Sequence, residues 1–394
     1  MSTALRSLQL RAGRARRVGL RAVGATAATV LGVGIILSVW GHPAVQRHLP
    51  AGPQVAEAAT TRTLPAATAQ PAAVSPVPVR AAGHRAFADS IDVAVFQKGN
   101  IHTHTKLSDG DRPPETVYNW YRNHGYNFLA ITDHNQLTAP EQYRHLERKR
   151  FVMITGEEVT MRGAGKAVHV NGLCIKHAIS GPSFDTQGQA LAWAVREITA
   201  QGGVALVNHP NWEWALTAAD LPDARGARLL EIASGHPFVH TLGDATHLSH
   251  EAMWDVALSA GQDFAGVAVD DAHTFALTTP EPAARPGRGW VQVFATEPSR
   301  PAICQALALG RLYSSTGVTL KRIVVNDDAY AVYPADPAVD IEFIGEGGRV
   351  LQRGKAGRDG AARYQLTGDE TYVRVRATSA EGKHAWTQPS RVVR

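Results

Sequence analysis

Three observations predict an α/β fold: a closed barrel of strand–helix units followed by a small antiparallel β-sandwich. Between Gly99 and Leu309, apolar strand patterns that end in a polar residue and run into helical patterns recur about seven times, which implies a parallel sheet with crossover helices. The His, Asp and Glu residues of this region gather at the C-terminal ends of those strands, the face on which barrel enzymes build their sites. From about Leu320 the pattern changes to short alternating runs (RIVVN, VDIEFI, ARYQL, YVRVRATS) with turn residues between them, as in a β-sandwich.

In chain order, the first segment is 1–41. Six arginines (Arg6, Arg11, Arg14, Arg16, Arg17 and Arg21) precede the uncharged stretch Ala22 to Trp40, and no acid occurs before Glu57. Positive charge ahead of an apolar run of spanning length reads as an export signal or a membrane anchor, which makes the protein exported and periplasmic or otherwise extracytoplasmic. Arg16-Arg17-Val18-Gly19-Leu20-Arg21 resembles a twin-arginine signal, with Gly19 where a bulkier apolar residue is usual. Residues 42–85 are rich in Ala, Pro and Thr and read as a linker. The net charge of +5 is carried by the N-terminal arginines rather than by a basic face, which argues against nucleic acid as a partner.

The barrel is expected over 86–318 and the β-sandwich, read as a structural cap, over 319–394. Helices are expected at Pro114 to His124, Ala139 to Lys149, Asp185 to Gln201, Glu251 to Ala260 and Arg300 to Leu309. No Gly-rich dinucleotide or phosphate loop follows any strand, and there is no G-x-S-x-G seat for a serine nucleophile. Cys174 and Cys304 are expected as two small buried thiols, with a disulfide as the alternative if the chain is exported.

The chemistry centres on Gly99 to Gly110, GNIHTHTKLSDG. Strand alternation puts His102 and His104 on one side, and Asp109 follows in a turn relieved by Gly110. His134, Glu158, His169, His209, Asp271 and His273 stand at or near later strand ends. Buried without partners, nine such groups would be costly, and metal coordination resolves that cost. Nitrogen and oxygen donors without thiolates indicate zinc, manganese or iron, and nine ligands suit two or three divalent ions. Glu231, His236, Asn211, Trp212, Arg162 and Lys166 lie near strand ends as further candidates.

At these residues the chain resembles the PHP (polymerase and histidinol phosphatase) superfamily of metal-dependent hydrolases. The likeness rests on H-x-H with Asp109, Thr132-Asp133-His134, G-x-E-x-T from Gly156 to Thr160, His169, Asn208-His209-Pro210 and D-x-H from Asp271 to His273. More narrowly, KGNIHTHTKLSDG, AGQDFAGVAVDDAH, GRLYSSTG and AWTQPS resemble the CehA/McbA-type branch. The resemblance implies a distorted seven-stranded barrel with a trinuclear site: one ion on His102, His104, Glu158 and Asp271, a second on Glu158, His169 and His209, a third on Asp109, His134 and His273. The register of G-x-E and D-x-H favours Glu158 over Glu157 and Asp271 over Asp270.

The expected activity is hydrolysis by metal-bound hydroxide without a protein nucleophile, with Glu158, Asp271 and His236 as catalytic residues. Three divalent ions against the carboxylates of Asp109, Glu158 and Asp271 leave an excess of positive charge that favours an anionic small-molecule substrate, a phosphoester. The alternatives are an aryl carbamate or amide, as the branch resemblance implies, and a non-catalytic metal-dependent envelope binding protein. Trp212, Trp214, Phe238 and Trp254 would wall a pocket for an aromatic leaving group, whereas Arg162 and Lys166 would hold a phosphate.

Overall fold

The computed structural model describes residues 85–393. The expected signal and nearly all of the expected linker lie outside them. In chain order the elements are β1 (Ala86–Phe87), β2 (Ile91–Val93), β3 (Phe96–Asn100), α1 (Pro114–Asn123), β4 (Phe128–Ala130) and β5 (Val152–Ile154). There follow β6 (Gly156–Gly163), β7 (Lys166–Leu173), β8 (Ser183–Phe184), α2 (Gln187–Ala200), β9 (Val204–Val207), β10 (Leu229–Ser234), α3 (His250–Ser259) and β11 (Ala265–Val269). Then come β12 (Trp290–Phe294), α4 (Arg300–Leu309), β13 (Leu312–Ser315), β14 (Leu320–Val325), β15 (Ala329–Pro334) and β16 (Asp340–Ile344). The last five are β17 (Val350–Gly354), β18 (Ala362–Gln365), β19 (Tyr372–Thr378), β20 (His384–Thr387) and β21 (Ser390–Val393).

Helix ends follow local chemistry. Pro114 opens α1, where its missing N–H costs nothing. Thr186 and Gln189 form a reciprocal capping box on α2, Ser249 and Ser299 cap α3 and α4, and Gly310 closes α4 at φ 64°. The expected helix at Ala139 to Lys149 is instead a 3-10 segment, Pro140–Leu146, that buries only Pro140 and Tyr143.

The mixed α/β character stands, but the sheet is not parallel throughout. Parallel ladders join β3 to β4 to β5 and β9 to β10 to β11. Between them β6 and β7 form an antiparallel hairpin, and β7 is antiparallel to β9. The hairpin turns on Ala164 and Gly165, both at positive φ (48° and 80°), with no Asn or Asp to announce it. No continuous ladder closes the ring among the described residues. Among the described residues the two part-sheets meet through isolated bridges, Thr103 with Ala272 on one side and His134 with Glu158 and Thr138 with Gly156 on the other.

The C-terminal strands make a two-sheet sandwich whose core includes Tyr330, Val332, Ile341, Phe343, Val373 and Val375. Its strands β19 and β20 continue through β13 and β12 into β3, so one sheet runs from the sandwich to the strand that leads to His102. β1 and β2 pair with β21 and β14. Arg374 of β19 is fully buried, donates to both carboxylate oxygens of Asp255 on α3 at 2.8 and 2.6 Å, and lies 2.9 Å from Glu251. The Trp254 ring covers its guanidinium at 4.7 Å.

Two further expectations are corrected. Cys174, just after β7, and Cys304, on α4, form a disulfide rather than two free thiols. Folding brings their Cα atoms to 6.1 Å across 130 residues of sequence, a proximity that spacing cannot reveal. No helix among the described residues is long and apolar enough to cross a membrane, so membrane partnership through a transmembrane segment finds no support. The stretch on which it was based, 22–40, lies outside the described residues.

Removing one side of a buried ion pair strands the other, so Arg374→Met should cost about 3–5 kcal/mol of stability. Denaturant unfolding checks this, and a loss below about 1 kcal/mol would mean that Asp255 and Glu251 are satisfied without the arginine.

Candidate metal centre

The site begins where β3 ends. Asn100 Oδ1 accepts the His102 N–H at 2.9 Å while its amide donates to Gly289 O at 3.0 Å, which fixes the chain as it enters the centre. His102 and His104 then project to one side, both fully buried. The loop carrying Asp109 is held by Asp133, whose carboxylate accepts from Thr105 N at 2.7 Å, Thr105 Oγ1 at 2.8 Å and Ser108 Oγ at 2.8 Å. At Gly110 the chain passes so close that a Cβ would meet His104 C and O at 2.7 Å.

Glu158 of β6 lies at the middle. Its Oε2 is 3.2 Å from His102 Nε2, 3.1 Å from His104 Nε2 and 3.2 Å from His134 Nδ1. Its Oε1 is 3.0 Å from His169 Nδ1 and 3.2 Å from His209 Nε2, and accepts from Asn208 Nδ2 at 2.7 Å. Asp271 Oδ1 is 3.3 Å from both His102 Nε2 and His104 Nε2. Asp109 closes the outer edge, 3.3 Å from His104 Nδ1, 3.5 Å from His134 Nε2 and 3.3 Å from His273 Nε2. All nine residues expected from the sequence therefore converge. Glu158 and His169 reach the centre from within the β6–β7 hairpin rather than from ends of parallel strands.

The neighbouring acids point elsewhere. Glu157 accepts the Ile179 N–H on the far side of the sheet, and burial pushes its carboxyl up to about 7. Asp270 accepts from Gly289 N at 2.9 Å and Tyr121 OH at 2.8 Å, and burial raises it to about 6.

Four groups of donor atoms lie close enough together to hold an ion: His104, Asp109, His134 and His273; His102, His209 and Asp271; His102, His104 and Glu158; His134, Glu158 and His169. Lone-pair direction fits that use. His102 Nδ1 donates to Glu231 Oε1 at 2.5 Å and His273 Nδ1 to Asp271 O at 3.0 Å, which turns the Nε2 lone pair of each ring inward. His169 Nδ1 and Asp271 Oδ1 are buried and make no hydrogen bond despite their near neighbours, as expected of atoms aimed at a shared cation.

Burial would push His102 and His104 down, but the facing carboxylates outweigh it and hold both well above the ordinary histidine value. Burial likewise opposes ionisation of Glu158, and the surrounding imidazoles hold it well below the carboxylate range nonetheless. Protons and divalent ions thus compete for the same lone pairs.

The remaining candidates separate clearly. Trp212 and His236 line the pocket of about 130 Å³ over the centre, and no lysine or arginine does among the described residues. Burial pushes His236 down to about 4, so it is neutral at pH 7. Phe238 stands beside His236, ring centroids 5.7 Å apart. Arg162 bonds to Gly165 O and Lys166 to Trp214 O, so neither reaches the pocket as a phosphate clamp. Trp254 is core and Trp214 stacks on two histidines outside the pocket. Asn211 donates to His240 O and Leu248 O, a loop-holding role, and its own N–H is accepted by His250 Nε2 at 3.3 Å.

Sequence reading passed over Asn208, Asn171 and Asp133 as supports, although Asn208 and Asp133 sit inside the quoted NHP and TDH motifs. Asn208 Nδ2 bridges Glu158 to Asn171 Oδ1 at 2.9 Å. Glu231 joins two of the nine by accepting from His209 N at 2.9 Å as well as from His102.

Glu158→Gln should remove at least one bound ion, read by metal analysis, while Glu157→Gln keeps a neutral acceptor for Ile179 N and retains the metal complement. The reverse pattern would shift the register by one residue. His250 gives a pH dependence: burial lowers it to about 3, so only the unfolded chain takes up its proton as pH falls from about 6.5, and stability declines with it. Chelated wild type should therefore lose more stability than His250→Gln between about pH 7.5 and about pH 5, and equal losses would refute this.

No curated protein matches the sequence. Among solved structures, a two-domain protein from Bacteroides vulgatus containing a predicted PHP-like metal-dependent phosphoesterase is 14% identical, with 77% of this chain and 96% of that chain covered and a TM-score of 0.42. An amidohydrolase from Chromobacterium violaceum, with bound sulfate and no metal, is 16% identical over 54% of this chain and 96% of that one, TM-score 0.37. A protein from Bifidobacterium adolescentis assigned as a metal-dependent phosphoesterase is 15% identical over 44% and 87%, TM-score 0.32. Residues 100–225 match the PHP domain family, a stretch that contains His102, His104, Asp109, His134, Glu158, His169 and His209.

Proposed function

We propose that this protein is a metal-dependent hydrolase of phosphoesters. The observation that carries the reading is the convergence of His102, His104, His134, His169 and His209 on the buried Glu158 carboxylate, with Asp109, Asp271 and His273 alongside. Two or three divalent ions, when bound, would lower the pKa of a coordinated water and stabilise charge developing on the substrate. His102, His104, Glu158 and Asp271 would hold one ion, Glu158, His169 and His209 a second, and Asp109, His134 and His273 a third.

Glu231 and Asn208 keep the inner rings and the central carboxylate in register by hydrogen bonds. Trp212 excludes water from one wall. His236 Nδ1 accepts the Phe238 N–H at 3.3 Å, so its proton sits on Nε2, from which it can donate to a substrate oxygen at the pocket mouth. With no lysine or arginine in the lining among the described residues, the charge to hold an anionic phosphoryl group would come from the ions, when bound, in excess over the carboxylates of Asp109, Glu158 and Asp271.

A second reading has its own observation. The Trp212–His236 wall and the lack of a lining lysine or arginine among the described residues also suit a neutral aryl carbamate or amide, the substrate class implied by the CehA/McbA resemblance. Export to an oxidising compartment is supported by the Cys174–Cys304 disulfide and the arginine-led N-terminal sequence.

Metal-loaded protein should hydrolyse p-nitrophenyl phosphate or its diester, and a chelator should abolish the activity. In parallel, turnover of an aryl N-methylcarbamate alone would replace the phosphoester reading. Failure of every ester and amide with ions bound would favour a binding protein.

A further inference from the structure

Outside the pocket, three rings join two segments that carry the pocket wall. Trp214 lies between His240 and His247, with centroids 4.5 and 4.0 Å away and planes tilted by 14° and 16°. Trp214 belongs to the turn after β9, which also carries His209 and Trp212. His240 and His247 belong to the loop 235–249, which also carries His236 and Phe238.

The backbone is bent against its preference to make this stack. Glu213, Trp214 and His240 have φ of 52°, 51° and 49°, a region that residues with a Cβ seldom occupy. Bonds on both sides hold it. Lys166 Nζ donates to Trp214 O at 2.7 Å, and Asn211 Nδ2 donates to His240 O at 3.0 Å and Leu248 O at 2.9 Å, tying both arms of the loop to the turn. His247 is fixed in turn by Asp244, with Nδ1 2.8 Å from Oδ1. On the inner side the ring of Trp212 is 5.6 Å from His236, and His236 is 5.3 Å from His273.

We infer that Trp214 is a positioning residue, and that its stack clasps the loop 235–249 so that Trp212 and His236 form a fixed wall for the non-reacting part of the substrate. The inference rests on the hydrolase reading for the substrate and on geometry alone for the clasp. A loop ordered in advance spares the ordering entropy otherwise lost on binding, so loosening it weakens substrate binding more than it slows chemistry at the metals. Bulky esters that reach the wall lose most, and a small alkyl phosphate least.

Full-length, metal-loaded Trp214→Ala, Trp214→Phe and His247→Ala test it, with two readouts. Chymotrypsin reports the loop directly, since Phe238 and Leu242 are 52% and 88% exposed. In Trp214→Ala, loop cleavage and the KM for p-nitrophenyl phosphate should each rise roughly tenfold with kcat and metal content retained. Trp214→Phe should restore both, and His247→Ala should move both the same way by less. Wild-type cleavage and KM in Trp214→Ala and His247→Ala would overturn the clasp, as would activity that falls only in step with lost metal. If wild type hydrolyses no ester, the proposed function fails, and the cleavage rates still decide the clasp.

Discussion

One buried carboxylate organises this molecule. Taken out of water, Glu158 would resist ionisation, yet five imidazoles within about 3.2 Å hold it charged. They arrive from β3, the end of β4, β7 and the end of β9, so the carboxylate is satisfied only when both part-sheets are correctly placed. That dependence works in both directions. With the ring joined by isolated bridges, the site itself becomes one of the ties between the halves, and the His134–Glu158 bridge places a backbone link at the same point as the side-chain contact.

The supporting layer explains why the sheet can be interrupted without losing precision. Asn100, Asp133, Asn208 and Glu231 each bind two or more groups around the centre, and all four are buried. At the other end of the molecule, the continuous sheet from β19 through β12 to β3 and the Arg374–Asp255 pair give the first histidine strand a rigid anchor. The sandwich is therefore mechanically connected to the centre, although none of its described residues lines the pocket over that centre.

The candidate site was far more legible in the sequence than the sheet around it. Histidines and acids in fixed motifs mark themselves by being costly to bury, and the G-x-E register separated Glu158 from Glu157 without coordinates. The β6–β7 hairpin was not legible because Ala164-Gly165 carries no polar turn residue, and β6, with Glu157, Glu158, Thr160 and Arg162, does not show an apolar strand pattern. The disulfide and the Arg374 pair were hidden for another reason: each joins positions more than a hundred residues apart, and no local pattern records such a meeting. Trp214 could be seen as an aromatic near the site, but facing the pocket and clasping its wall leave the same trace in sequence.

Asp270 and Asp271 show what the strained backbone accomplishes. Strand alternation alone would send successive side chains to opposite faces, but β11 has already ended at Val269, and Asp271 has φ 48°. That left-handed residue, at a cost of about 1–3 kcal/mol, lets the Asp271 N–H donate to His102 O at 3.0 Å while its carboxylate faces His102 and His104. Asp270, one residue earlier, can then stay turned toward Tyr121 and Gly289, where it locks the start of β12. Relaxing Asp271 into the extended region would turn its carboxylate from the histidines or break its bond to His102 O. Strain here is what allows two adjacent acids to serve the metal centre and the sheet separately.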